Sequence, residues 1–127
     1  MHGGAQKLPP PDPDNPKDAE RIAKRSRNWQ VRATRRWLRD LRDQRAEAGI
    51  LPAAGECAAI TRSFPDSAFR WPSLKEAAVL LAEAYVAGQI GASDILRTFM
   101  LFRMGEVPAW VEQEARTGGG MAVVRAA

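Results

Sequence analysis

The chain has 127 residues, 45% of them apolar, and a formal net charge of +4 at pH 7. These values are typical of one folded domain with a modest core, and they leave little room for a deep, enclosed substrate cavity. The single cysteine, Cys57, excludes an internal disulfide. Because its neighbours are small and apolar, we expect Cys57 to be a buried small apolar residue.

Residues 1–15 lack the basic segment followed by an apolar segment that marks a secretory signal. Charged residues also interrupt the most apolar part of the chain, so that no segment reaches the ~20 apolar residues of a membrane span. We therefore expect a cytoplasmic protein without a transmembrane segment.

Catalytic residue types are scarce in this chain. Its one histidine, His2, lies near the start, so a Cys/His zinc site or a Ser-His-Asp arrangement cannot be assembled. The glycine run at residues 118–120 is not followed by the Lys-Ser/Thr of a phosphate-binding loop. The sequence therefore predicts no enzymatic activity, no metal and no cofactor.

The predicted architecture is all-α: a small single-domain helical bundle with one long N-terminal basic amphipathic helix and three to four shorter helices. The many prolines before residue 16, together with Asp12 and Asp14, predict a flexible acidic tail over residues 1–14. A helical domain is expected over residues 15–117 and a second flexible tail over residues 118–127.

The long helix is predicted over residues 16–48. Asn15 can cap it, Pro16 suits its first position, and Gly49 can end it. The shorter helices are predicted over residues 52–62, 74–87, 94–104 and 108–116.

Local signals set the expected bounds of the shorter helices. Ser73 and Glu76 match a capping box, in which each side chain accepts a hydrogen bond from the other residue's backbone N–H. Ser93 is expected to cap the helix that Gly105 closes. The aromatic residues of the loop before residue 74 are expected to pack against the body, namely Phe64, Phe69 and Trp71.

At about 100° per residue, the long helix separates into two arcs of about 120° each. One arc is apolar and holds Ile22, Trp29, Ala33, Trp37, Leu41 and Ala48. The other is cationic and holds Arg21, Lys24, Arg25, Arg32, Arg35, Arg36, Arg39 and Arg42. We therefore expect Trp29 and Trp37 to be core anchors, and Val31 to be an exposed apolar residue on the polar side.

The positive charge is confined to the long helix. Residues 1–20 sum to −2, residues 21–49 to +7 and residues 50–127 to −1. Because no acidic residue lies between Arg21 and Arg39, we expect the cations to lack partners in their own stretch. Arginine outnumbers lysine 15 to 4, and a guanidinium group can bind phosphate through two hydrogen bonds.

These features predict an accessory or regulatory protein that binds nucleic acid, with the eight cations contacting phosphates. DNA is favoured over RNA. Duplex is favoured over single strands, because the sequence shows no exposed run of aromatic residues on which bases could stack.

Three other interpretations of the basic helix stay open. It could bind an acidic patch on a larger nucleic-acid machine such as a polymerase or nuclease, as an adaptor or inhibitor. It could be a solvated face that reflects only composition. It could also lie on an anionic membrane surface, provided that its tryptophans are not buried in the core.

Residues 74–87 and 94–104 have the outline of a helix-turn-helix. The second of these helices is apolar nearly all round, which favours a central core helix over a DNA-reading one. If one small domain cannot cover all of that apolar surface, a homodimer is expected to cover the rest, which includes Met100, Leu101 and Phe102.

Overall fold

The structure is a computed structural model that describes Asp12 and residues 14–118. The two predicted tails lie outside the described residues, apart from Asp12, Asp14 and Gly118. Contacts divide the chain into two compact units, Met1–Gln30 and Val31–Ala127.

The described residues form five α-helices, one short 3₁₀ helix and no strand, which confirms the all-α prediction and its one long helix. None of these helices has an apolar run of the length needed to cross a membrane. The bounds in chain order are α1 Pro16–Ala48, α2 Ala54–Ser63, the 3₁₀ helix Asp66–Phe69, α3 Pro72–Val86, α4 Ala92–Phe102 and α5 Ala109–Arg116.

The start of α1 lies in the first unit and is capped as predicted. The side-chain oxygen of Asn15 accepts a hydrogen bond from the N–H of Lys17 at 3.0 Å. Asp18 accepts the N–H of Asp12 at 3.0 Å and also pairs with Arg21. The hydrogen bond from Asp12 and then the contact with Arg21 lower the pKa of Asp18.

The predicted start of α3 is wrong by two residues. The helix begins at Pro72, with Trp71 as its cap residue and no side-chain capping bond. Proline is favoured at the first position of a helix because its missing N–H would be unpaired there anyway. Ser73 therefore lies inside the first turn, and Glu76 is left available for a partner on another helix.

The predicted bounds of α4 also shift by two residues. The helix begins at Ala92, and the carboxylate of Asp94 accepts the N–H of Gly91 at 3.0 Å, so Ser93 is not the cap. The helix ends at Phe102, before the predicted Gly105.

The core of the second unit is built around α3 and α4. Seven α3 residues from Ala77 to Tyr85 are buried, and so are Ile95, Phe99 and Phe102 of α4. Phe64 packs edge-on against Phe99, with the ring centroids 5.0 Å apart. This burial confirms α4 as a core helix. Of the three α4 residues expected at a dimer interface, Met100 is exposed, Leu101 is half-buried and Phe102 is buried.

The core-facing stripe of α1 differs from the predicted one. Within the second unit it follows a three-and-four spacing and consists of Val31, Thr34, Leu38, Leu41 and Arg45. Leu38 is completely buried and Arg45 is 3% exposed, whereas Trp37 is 36% exposed. The prediction of Trp37 as a core anchor is therefore wrong. Val31, expected to be exposed, packs against the core.

The predicted burial of Trp29, in the first unit, is also wrong, since this side chain is 69% exposed. The buried stripe lies between the two predicted arcs, and only three of its five residues are apolar. A search for the widest apolar arc therefore selects the wrong side of the helix.

Candidate nucleic-acid interface

In the first unit, three of the eight predicted cations lie on the N-terminal part of α1. Arg21 pairs with Asp18, three residues earlier, and is the least available of the three. Lys24 and Arg25 are exposed and have no ion pair among the described residues. Two of these three predicted cations are therefore unpaired among the described residues.

In the second unit, Arg32 and Arg36 are exposed and have no ion pair within the described part of the chain. They are four residues apart on one α-helix, so their side chains lie on the same face, about 6 Å apart along the axis. A phosphate spacing in a nucleic-acid strand is of the same order, so two neighbouring phosphates could be contacted together.

Two other predicted cations of the second unit have carboxylate partners, contrary to the expectation that the basic face is unneutralised. Arg39 donates a hydrogen bond to Glu76 of α3 at 2.8 Å. Arg42 lies 3.7 Å from the neighbouring carboxylate of Asp43. The partner of Arg39 comes from a helix distant in sequence, so no i,i+4 rule could have found it.

Arg35 is held against the core rather than free in solvent. It is half-buried, and its guanidinium carbon lies 5.8 Å from the centroid of the Phe102 ring, in a cation-π arrangement. Its Nε is buried without a hydrogen-bond partner. Arg35 is therefore held against α4 by its contact with Phe102.

Arg45, which is not among the eight predicted cations, is buried and makes its contacts inside the protein. Its guanidinium group lies 3.1 Å from a carboxylate oxygen of Glu83 and donates to the side-chain oxygen of Gln89 at 2.6 Å. Gln89 in turn donates to the backbone carbonyl of Leu41 at 3.1 Å. These bonds connect α1 to the end of α3 and the residues that follow it.

The structure exposes aromatic residues that were expected to be buried. Besides Trp29 in the first unit, Trp71 in the second unit is 59% exposed, so the prediction that it packs down is wrong. The expectation that duplex is preferred to single strands depended on the absence of an exposed run of aromatic residues; the structure exposes aromatic residues singly and not as a run.

Comparison of the chain with protein families, with curated proteins and with solved structures found no match.

Proposed function

We propose that this protein binds nucleic acid, and that the exposed cations of α1 contact its phosphates. The observation that carries the proposal is the pair Arg32 and Arg36, which lie one turn apart on an exposed face and have no carboxylate partner among the described residues. Lys24 and Arg25 supply two more such charges in the first unit. Unpaired guanidinium groups in a row repel one another, and a polyphosphate chain relieves that repulsion with release of its condensed counterions.

The character of the exposed face of α1 favours nucleic acid over a membrane surface. An interfacial helix needs a continuous apolar stripe beside its cations. At about 100° per residue the exposed side that holds Trp37 continues through Asp40, Gln44 and Glu47, and all three are exposed polar or acidic residues. Acidic side chains on that stripe would face an anionic headgroup layer unfavourably.

The test is a binding titration followed by fluorescence anisotropy, with labelled duplex DNA, single-stranded DNA and RNA at about 50 mM and 200 mM salt. We expect binding that weakens steeply with salt. The double variant Arg32→Gln/Arg36→Gln should lower affinity about tenfold or more and reduce the slope of log K against log salt by about one to two, because two phosphate contacts are lost.

A matched control removes two exposed arginines on other helices, Arg62→Gln/Arg116→Gln. It changes the net charge by the same amount and should leave the slope nearly unchanged. Absence of binding to all three nucleic acids at low salt would contradict the proposal. In that case the adaptor function, in which the same cations meet an acidic protein surface, becomes the better interpretation.

A further inference from the structure

Outside α1, the residue that follows α4 has a left-handed backbone although it is not glycine. Among the described residues, three helices end in the same hydrogen-bond pattern, in which a residue two or three positions beyond the helix donates its N–H to a carbonyl five residues back. The donors and acceptors are Ile50 to Arg45, Gln89 to Ala84 and Met104 to Phe99. This pattern requires a left-handed residue at the preceding position, which is usually glycine.

Two of these three positions hold glycine and the third does not. Gly49 has φ +72° and Gly88 has φ +78°, but the corresponding residue after α4 is Arg103, with φ +54°. Among the described residues Arg103 is the only one other than glycine with positive φ. A residue with a side chain is strained in this conformation, and strained residues are concentrated at functional sites.

Arg103 is exposed and has no carboxylate partner within the described residues. Its neighbour Phe102 is the ring on which Arg35 rests. Arg103 therefore directly follows the residue of α4 that contacts Arg35 of α1.

Arg70 and Trp71 follow the 3₁₀ helix, which is joined to the end of α4. The hydroxyl of Ser67 donates to the carbonyl of Met104 at 2.9 Å, which joins the 3₁₀ helix to the end of α4. Arg70 follows Ser67 by three residues, about 6 Å of 3₁₀ helix, and Arg103 precedes Met104 by one residue, about 3.8 Å. Arg70, Trp71 and Arg103 therefore lie on the two segments that this hydrogen bond joins.

Trp71 is 59% exposed, and its side chain makes no hydrogen bond or ring contact within the described residues. Its contribution to the start of α3 is made by the backbone carbonyl, which accepts the N–H of Lys75 at 2.9 Å. An exposed tryptophan and two exposed arginines on these joined segments combine a stacking platform with phosphate ligands, the combination with which proteins hold single-stranded nucleic acid.

We infer that Arg70, Trp71 and Arg103, here called the Trp71 surface, form a second contact for nucleic acid and that this contact takes a single-stranded segment. Trp71 stacks on an unpaired base, and Arg70 and Arg103 bind the phosphates beside it. The inference rests on the proposed function, since the cations of α1 supply the first contact. It reverses the preference for duplex that the sequence alone predicts.

The test compares single-stranded DNA with duplex DNA, using the labelled strands named above and the full chain. Trp71→Ala should weaken single-strand binding about 5- to 150-fold, the range for loss of one stacked base, and should affect duplex binding much less. Trp71→Phe, which keeps an aromatic face, should recover most of the affinity, whereas Trp71→Leu should not.

Arg103→Gly separates binding from folding, because glycine suits the left-handed position. This variant should unfold at the same temperature as the wild type or higher, yet bind single strands several-fold more weakly. Arg103→Lys should keep most of the binding, and Arg116→Asn, which removes a cation from the end of α5, should change little.

The outcomes distinguish this inference from the proposed function. If Arg32→Gln/Arg36→Gln weakens binding but the Trp71 and Arg103 variants bind like the wild type, the second contact does not exist and the first one stands. Equal losses for duplex and single strands in Trp71→Ala would also overturn the stacking role. If the wild type binds no nucleic acid, both proposals fail.

Discussion

Arg45 shows how one buried cation can be satisfied without leaving the body of the protein. Its guanidinium group is shared between the carboxylate of Glu83 and the amide oxygen of Gln89, and only 4% of its side chain is exposed. A charge removed from water to this extent is tolerated only when it is paired and hydrogen-bonded. The same residue type thus has opposite roles on α1, structural at Arg45 and available to a ligand at Arg36.

We predict that Arg45→Ala lowers the free energy of unfolding by about 3 kcal/mol, the lower end of the range for breaking a buried pair, since Glu83 is partly exposed. Arg36→Ala should change it by less than about 0.5 kcal/mol, as is usual for surface positions. Urea denaturation followed by circular dichroism measures both. Equally small losses of unfolding free energy in the two variants would contradict the burial of Arg45.

Cys57 is half-buried, not fully buried as its neighbours suggest. Burial raises the pKa of its thiol, and the negative charge of Glu83 adds to the rise. Because the thiolate is the reactive form, we predict slow reaction with a disulfide reagent at pH 8 compared with a small free thiol. Unfolding in guanidinium should restore the ordinary rate. A folded protein that reacts as fast as the unfolded one would refute this.

At the scale of the helix, α1 shows which part of a fold can be predicted from a sequence. Its bounds, Pro16–Ala48, follow from Asn15, Pro16 and Gly49, because caps and stops are local signals. Its buried face could not be predicted in the same way. The stripe through Leu38 includes Arg45, whose burial depends on Glu83 of α3 and on Gln89 after it.

The start of α3 also differs from the predicted one, but for a different reason. Ser73 and Glu76 satisfy the pattern of a capping box, but Pro72 fits the first position of the helix and displaces the start. The freed Glu76 then reaches Arg39, and this one tertiary contact changes the charge of the candidate interface. The strained Arg103 could be found only from backbone angles, since its sequence neighbourhood resembles any helix end.

The corrected stripe on α1 makes a direct prediction about stability. Leu38 is completely buried, so Leu38→Ala should cost about 2–5 kcal/mol. Trp37→Ala removes a larger side chain but one that is 36% exposed, and it should cost less. Circular dichroism in urea compares the two without relying on tryptophan fluorescence. A greater loss of unfolding free energy in Trp37→Ala would instead support the buried face that the sequence predicts.

For the molecule as a whole, the positions of the unpaired cations predict binding better than the net charge does. Residues 21–49 carry +7, yet Arg39 and Arg45 are held by carboxylates of α3. Of the eight predicted cations, the exposed ones without an ion pair among the described residues are Lys24 and Arg25 in the first unit and Arg32 and Arg36 in the second. Arg70 and Arg103 of the Trp71 surface are also exposed and have no ion pair within the described part of the chain.

Glu76 is the acidic residue best placed to test whether binding depends on local unpaired cations or on the net charge. The pair that it forms with Arg39 is partly exposed on both sides, so Glu76→Gln should cost less than about 1 kcal/mol of stability. Released from its partner, Arg39 joins the cations that a phosphate chain can contact. We therefore predict tighter binding of nucleic acid at low salt and a salt slope steeper by about 0.7 to 0.9.

The control is Glu112→Gln, which changes the net charge by the same amount at an exposed position of α5. If phosphates are contacted locally by α1, only Glu76→Gln should steepen the slope. Equal changes in the two variants would mean that the ligand responds to the overall charge of the protein, and the assignment of the interface to α1 would then lose its basis.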